Sequence, residues 1–270
     1  MKIRAGYRIA FECEQTATMV LMLSTRWERR GDLLTPDILT VEPFRAIRQY
    51  TDLYGNLCTR LVAGPGLTTF SADFLIQDSG LPDPVLPGAV QHTIEELPDE
   101  VLVYLLASRY CDTQELMQTA WALFGATEPG WGRVQAIVDY AHQRIAFNYA
   151  HARNTRTASE AHEEQVGVCR DFAHLAITLC RCMNIPARYC TGYLGDIGIP
   201  PIDAPMDFSA WFQVYLGGAW HTFDARHNKP RIGRILIAVG RDATDVAIST
   251  SFGRTDLVEF SVLTDEIVET

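Results

Sequence analysis

The sequence predicts an α+β protein: a β-rich N-terminal part (residues 1–105) followed by a core of helices and antiparallel strands (106–270). Three observations carry this expectation. Apolar residues alternate with period two through much of the first hundred positions, helical spacing takes over between 112 and 183, and alternation returns from 187. A chain of 270 residues has room for two such units. Its 47% hydrophobic and 21% charged residues match an ordinary packed protein, able to bury a core without staples.

The elements follow in order. Residues 7–13 (Tyr-Arg-Ile-Ala-Phe-Glu-Cys) alternate apolar and polar, and 17–23 form an apolar run of strand length. Residues 52–58 read as a hairpin tip, with Gly55-Asn56 able to supply positive φ, and 57–62 and 69–76 suit strands. The segment 81–88 holds three prolines and a glycine and is expected to be a loop or linker. Beyond it, 112–124 shows helical spacing through Leu116, Ala120, Leu123 and Phe124. The same spacing recurs over 133–145 through Val134, Ile137, Val138 and Ala141. A third helix starts near Cys169, buries Phe172, Leu175, Ala176, Leu179 and Met183, and stops at Asn184-Ile185-Pro186. Strands are expected over 187–193, 209–216, 219–225 and 234–239.

Charge and composition narrow the function. Thirty-three acidic against 23 basic residues give a net charge of −10, which repels phosphate backbones and speaks against a nucleic-acid partner. No apolar run reaches the roughly 18 residues of a membrane span, and the N-terminus returns to charge at Lys2 and Arg4 without a signal core. Seven scattered cysteines without such a signal suggest a reducing cytoplasm. Cys180 and Cys182 form a close pair but lack a second pair at zinc-site separation, so no metal is expected. No glycine-rich loop leads into Lys-Ser/Thr, and no cofactor is expected.

The strongest chemical signal is Gly167-Val168-Cys169-Arg170-Asp171-Phe172-Ala173. A cysteine on the first turn of a helix meets unpaired N–H groups and the positive end of the dipole, which lowers a thiol pKa. A small buried apolar cysteine is the plain alternative. Downstream, Gly217-Gly218 separates two alternating runs as a two-residue turn, pairing Leu216 with Ala219 and Trp211 with Asp224. In that register Ser209 shares a face with Asp224, and His221 points to the other face.

These residues, with Ile185-Pro186-Ala187-Arg188-Tyr189 a helix length later and Ala210-Trp211 through Asp224, resemble the bacterial transglutaminase-like superfamily, a branch of the papain-like cysteine enzymes. The resemblance is strong over 133–228 and weaker over the β-rich N-terminal part. It implies a papain-like core, in which the helix bearing the cysteine packs on an antiparallel sheet. It also implies a Cys–His–Asp triad for amide hydrolysis or acyl transfer, with Cys169 as nucleophile and Asp224 as orienting acid. The family histidine precedes Ala210-Trp211, where this chain has Ser209. A neutral hydroxyl cannot take and return a proton near pH 7 as imidazole does, and a lost base costs several orders of magnitude in rate.

Other histidines can be weighed as replacements. His221 is turned from Asp224, and His174, five residues after Cys169, is off its helix face; His227 follows the strand and could reach the cleft rim, and His162 lies in the segment before the nucleophile. Trp131, Trp211 and Trp220 are candidate cleft walls, Asp171 and Gln213 candidate cleft residues, and Arg188 and Arg226 candidate partners of Asp224, Asp171 or a substrate carboxylate. The expectation is a cysteine-type amidase, protease or acyl transferase on a peptide, protein or small amide, weakened or silenced at Ser209. The alternative is a binding or scaffold protein that keeps the cleft.

Overall fold

A computed structural model describes residues 1–200 and 206–268. In chain order the strands and helices are β1 (Lys2–Cys13), β2 (Ala17–Leu21), β3 (Thr40–Glu42), β4 (Ile47–Thr51), β5 (Leu57–Ala63), β6 (Gly66–Gln77), α1 (Asp99–Leu102), α2 (Thr113–Phe124), α3 (Trp131–Arg144), β7 (Ala146–Phe147), α4 (Ala158–Glu164), β8 (Val166–Gly167) and α5 (Cys169–Cys182). Then come β9 (Ala187–Tyr193), β10 (Ser209–Leu216), β11 (Ala219–Phe223), β12 (Ile235–Gly240), β13 (Ser249–Phe252) and β14 (Thr255–Ile267). The fold is α+β with a β-rich N-terminal region, as the periodicity predicts.

Two four-stranded antiparallel sheets, β14-β1-β6-β3 and β13-β2-β5-β4, build the β-rich part. In β1 the alternating set Ile3, Ala5, Tyr7, Ile9, Phe11 and Cys13 is buried, the half of the pleat that a period-two pattern assigns to the core. The turn at Gly55 (φ +78°) joins β4 to β5 where a hairpin tip is expected. The sequence reading groups everything after 105 together, but the ladders place β13 against β2 and β14 against β1. Both ends of the chain therefore build the β-rich sheets.

The third sheet, β11-β10-β9-β12, carries the helices. Helix α5 is buried along its length, every residue from Asp171 to Cys182, and packs against β9 and β10 on one side and α2, α3 and α4 on the other. Its last turn closes at Asn184 (φ +60°), with Pro186 two residues on, the stop read from sequence. Ala210, Phe212, Val214 and Leu216 of β10 join α5 in the main core. The hairpin forms at Gly217-Gly218 (φ +56° and +83°), with Leu216 opposite Ala219 and Phe212 opposite Phe223, the predicted register. No helix among the described residues is long and apolar enough to cross a membrane.

Candidate active site

Cys169 sits at the head of α5 because the chain must turn sharply from β8 into the helix. Asp171 reaches back from the first turn, its Oδ2 accepting from the Val168 N–H at 2.8 Å and from Arg156 Nη1 at 3.1 Å. That carboxylate lies so close to Gly167 that a Cβ there would be 2.7 Å from Asp171 Cβ, so only glycine fits. Asp171 is thus a buried cap of α5 and holds the cysteine in place from behind.

The thiol is half-buried and opens into a cavity of about 150 Å³, which it shares with Tyr149, Asp207, Ser209, Arg226, His227 and Arg231. Burial pushes the Cys169 thiol above its usual range, while the Arg226 guanidinium and a backbone hydrogen bond from Ala210 favour the thiolate; Asp207 and Asp224 oppose it. The helix-start expectation of a lowered thiol pKa is therefore reversed by desolvation.

Asp224 is buried at the end of β11. Its Oδ1 accepts from the His227 backbone N–H at 3.0 Å, and its Oδ2 accepts from His227 Nδ1 and Arg234 Nη2, both at 2.9 Å. Burial alone would raise the Asp224 carboxyl, but Arg234 and His227 hold it well below the usual carboxylate range. Asp224 stands behind His227 rather than on the cavity wall: it lines a smaller neighbouring cavity with Trp131 and Gln135.

The predicted set is partly assembled. Cys169 and Ser209 share the cavity, and Asp224 reaches it through His227. The other cleft candidates lie elsewhere. Trp131 packs on Phe223 with ring centroids 4.5 Å apart, and Asp171 caps the helix. His162 Nε2 bonds the Tyr140 hydroxyl at 2.7 Å, away from the thiol. Trp211 and Gln213 line a separate cavity of about 930 Å³ on the other side of β10, where Gln213 accepts from Arg188 Nε at 2.8 Å. Trp220 lines that larger cavity too, with Arg188 4.1 Å over its ring. Residues 209, 211 and 213 share one face of β10, and of these only Ser209, at the strand's first position, lines the thiol cavity.

His221 is turned away, as the register requires, with Nε2 bonded to the Leu216 carbonyl at 3.0 Å. His174 is buried between Tyr110 and Tyr189. Of the seven histidines, His227 is the one on the cavity wall. The partners of the two buried carboxylates are Arg234 and Arg156, neither singled out in the sequence, since both pairings depend on long-range folding. The visible signal for His227 was the Asp-x-x-His spacing of Asp224 and His227, which suits a turn in which an aspartate accepts from a following N–H.

Residues 118–225 match the model of the transglutaminase-like superfamily core. The matched stretch contains Cys169, Ser209 and Asp224 and ends two residues short of His227. An uncharacterized protein of Mycobacterium leprae is 40% identical over 101 residues, 34% of this chain and 35% of that one, so the match spans about a third of the relative's length. The crystal structure of a candidate cysteine protease from Cytophaga hutchinsonii is similar over 100% of this chain and 92% of its own, at 28% identity and a TM-score of 0.84.

Proposed function

We propose that the protein is a cysteine-dependent acyl enzyme, in which Cys169 Sγ attacks the carbonyl carbon of an amide and the amine departs to leave a thioester. Water then releases an acid, or a second amine takes the acyl group. The observation that carries this reading is the Cys169 thiol itself: at the head of a buried helix, open to a cavity, with the Ala210 N–H on sulfur and Arg226 beside it. The backbone N–H groups of the first turn of α5, which lack partners within the helix, are the candidate donors to a carbonyl oxygen that gains charge. The acyl donor is a peptide, a protein side chain or a small amide. The seven free cysteines suit a reducing compartment, and we place the protein in the cytoplasm.

A second reading, a binding protein that keeps the cleft without turnover, is favoured by Ser209, which stands on the cavity wall where the resemblance expects imidazole. A panel of peptide and glutamine amides, assayed with wild type and Cys169→Ala, separates the two. The acyl-enzyme reading predicts amide turnover lost by at least about a thousandfold in Cys169→Ala. Turnover that survives this substitution contradicts it, and binding of an amide without turnover favours the second reading.

A further inference from the structure

We propose that His227 is the catalytic base of the Cys169 site, an imidazole supplied by the turn after β11 in place of one on β10. The inference rests on the thiol reading above and deepens it. Four observations carry it: the shared cavity, the orientation of the ring, the rigidity of the turn, and the chemistry of the remaining groups.

His227 lines the same cavity as Cys169 and Ser209. Its Nδ1 is 2.9 Å from Asp224 Oδ2, and its own backbone N–H bonds Asp224 Oδ1 at 3.0 Å, so one carboxylate grips the residue at two points. Arg234 bonds the same carboxylate and keeps it ionised, which makes it an acceptor and places the ring proton on Nδ1. Nε2 is then the basic nitrogen, and it has no partner among the described residues.

The turn is anchored on α3. Asn228 adopts φ +48° and donates from Nδ2 to Asp139 Oδ1 at 2.9 Å, while Gln135 Nε2 donates to Asn228 Oδ1 at 3.0 Å. The Asn228 N–H bonds the Asp224 carbonyl at 2.8 Å, and His142 Nδ1 lies 3.1 Å from the Ala225 carbonyl. A loop residue held from both sides in this way meets the positional demand on a general base.

No other group at the cavity serves as well. Arg226 and Arg231 are cations and cannot accept a proton. Tyr149 is pushed up by burial and Ser209 is neutral. Asp207, raised by burial, carries a carboxyl group, and carboxyl groups as a class are weaker bases than imidazole. Around the ring itself stand Asp224, Arg226, Arg231 and Arg234, with Asp139 and His142 behind them on α3. The step balances: Nε2 takes the Sγ proton as the C–S bond forms and returns it to the leaving amine as the C–N bond breaks. In deacylation, water gives Nε2 a proton while its oxygen attacks the thioester, and the proton passes back to sulfur.

The test reads the thiol directly and needs no known substrate. Iodoacetamide alkylation of Cys169, located by mass spectrometry, is followed from pH 5 to 10 in wild type, His227→Gln and Ser209→His/His227→Gln. Glutamine retains a donor for Asp224 and lacks a base. Wild type is expected to show a separate limb below the alkaline rise of the thiol, set by the base that takes its proton. In His227→Gln that limb disappears, the rate at pH 7 falls about tenfold, and the alkaline rise of an isolated buried thiol is left. The double variant is expected to regain the limb. A His227→Gln profile that matches wild type overturns the proposal. Should the variants fold poorly, the His227 ring is titrated by NMR in wild type before and after alkylation of Cys169: a moved titration supports the coupling and an unmoved one overturns it. Amide turnover abolished by Cys169→Ala but untouched by His227→Gln defeats this inference alone; turnover that survives Cys169→Ala defeats the thiol reading itself.

Discussion

Asp224 does two jobs with one carboxylate, orienting His227 and neutralising the buried Arg234 guanidinium, which also pairs with Asp83 at 2.9 Å. Replacing it removes charge from a site where Arg234 Nη1 already lacks a partner. Asp224→Asn is therefore expected to cost about 3 kcal/mol of unfolding free energy, measured by urea titration at pH 7. The sign with pH follows from the depressed Asp224 carboxyl. Its contribution is complete above the unfolded carboxylate range near pH 4 and is lost as pH falls through the folded value, so wild type and variant should converge in acid. A constant gap down to pH 2 contradicts this account. The family resemblance singled out Cys169 and Asp224 in the sequence, and the local pattern placed them: a helix start with a glycine before it, and the position just after a strand whose register a Gly-Gly turn sets. His227 was less so, since its place depends on a turn shaped by Asn228, Gln135 and Asp139, and no periodicity announces such a turn.

Helix α5 is the element on which the site hangs, and its burial explains why its polar residues are specialised. His174 is enclosed between two tyrosine rings; its Nε2 accepts from the Ala243 N–H at 3.2 Å, while Nδ1 is buried without a partner. Burial, with Arg170 and Arg181 nearby, lowers its pKa to about 3, and Asp242 opposes them. A histidine kept neutral in the fold and protonated when unfolded contributes fully above about pH 6.5 and loses stability as pH falls below it, by at most about 1.4 kcal/mol per unit. His174→Phe is expected to flatten the fall of unfolding free energy between pH 6.5 and 4.5, whatever it costs at neutral pH. An unchanged slope contradicts a neutral buried imidazole. Helix α5 was legible because its apolar residues Phe172, Leu175, Ala176, Leu179 and Met183 keep helical spacing, and the β10–β11 hairpin because two strand-like runs flank Gly217-Gly218. Strand β14 was not: only Val262 and Thr264 of its thirteen residues are buried, so packing imprints little alternation on it.

At the scale of the molecule, the two β-rich sheets close over the chain's ends, with β14 paired along the full length of β1. Such pairing joins residues some 250 positions apart, and no local pattern encodes it. The core sheet and helices then present one small cavity at the head of α5, where Cys169, Ser209 and His227 meet. Its position relative to the large cavity of Trp211 and Gln213 also escaped sequence reasoning, which gives strand faces but not where each face opens. The thiol reading stands or falls on whether Cys169 forms an acyl-enzyme. It is tested most directly by mixing the intact protein with excess p-nitrophenyl acetate and recording nitrophenolate release together with the protein's mass. This reading predicts a burst of about one equivalent and a single acetyl group on Cys169, both absent in Cys169→Ala. No burst, or an equal burst and acetyl adduct in Cys169→Ala, would contradict it.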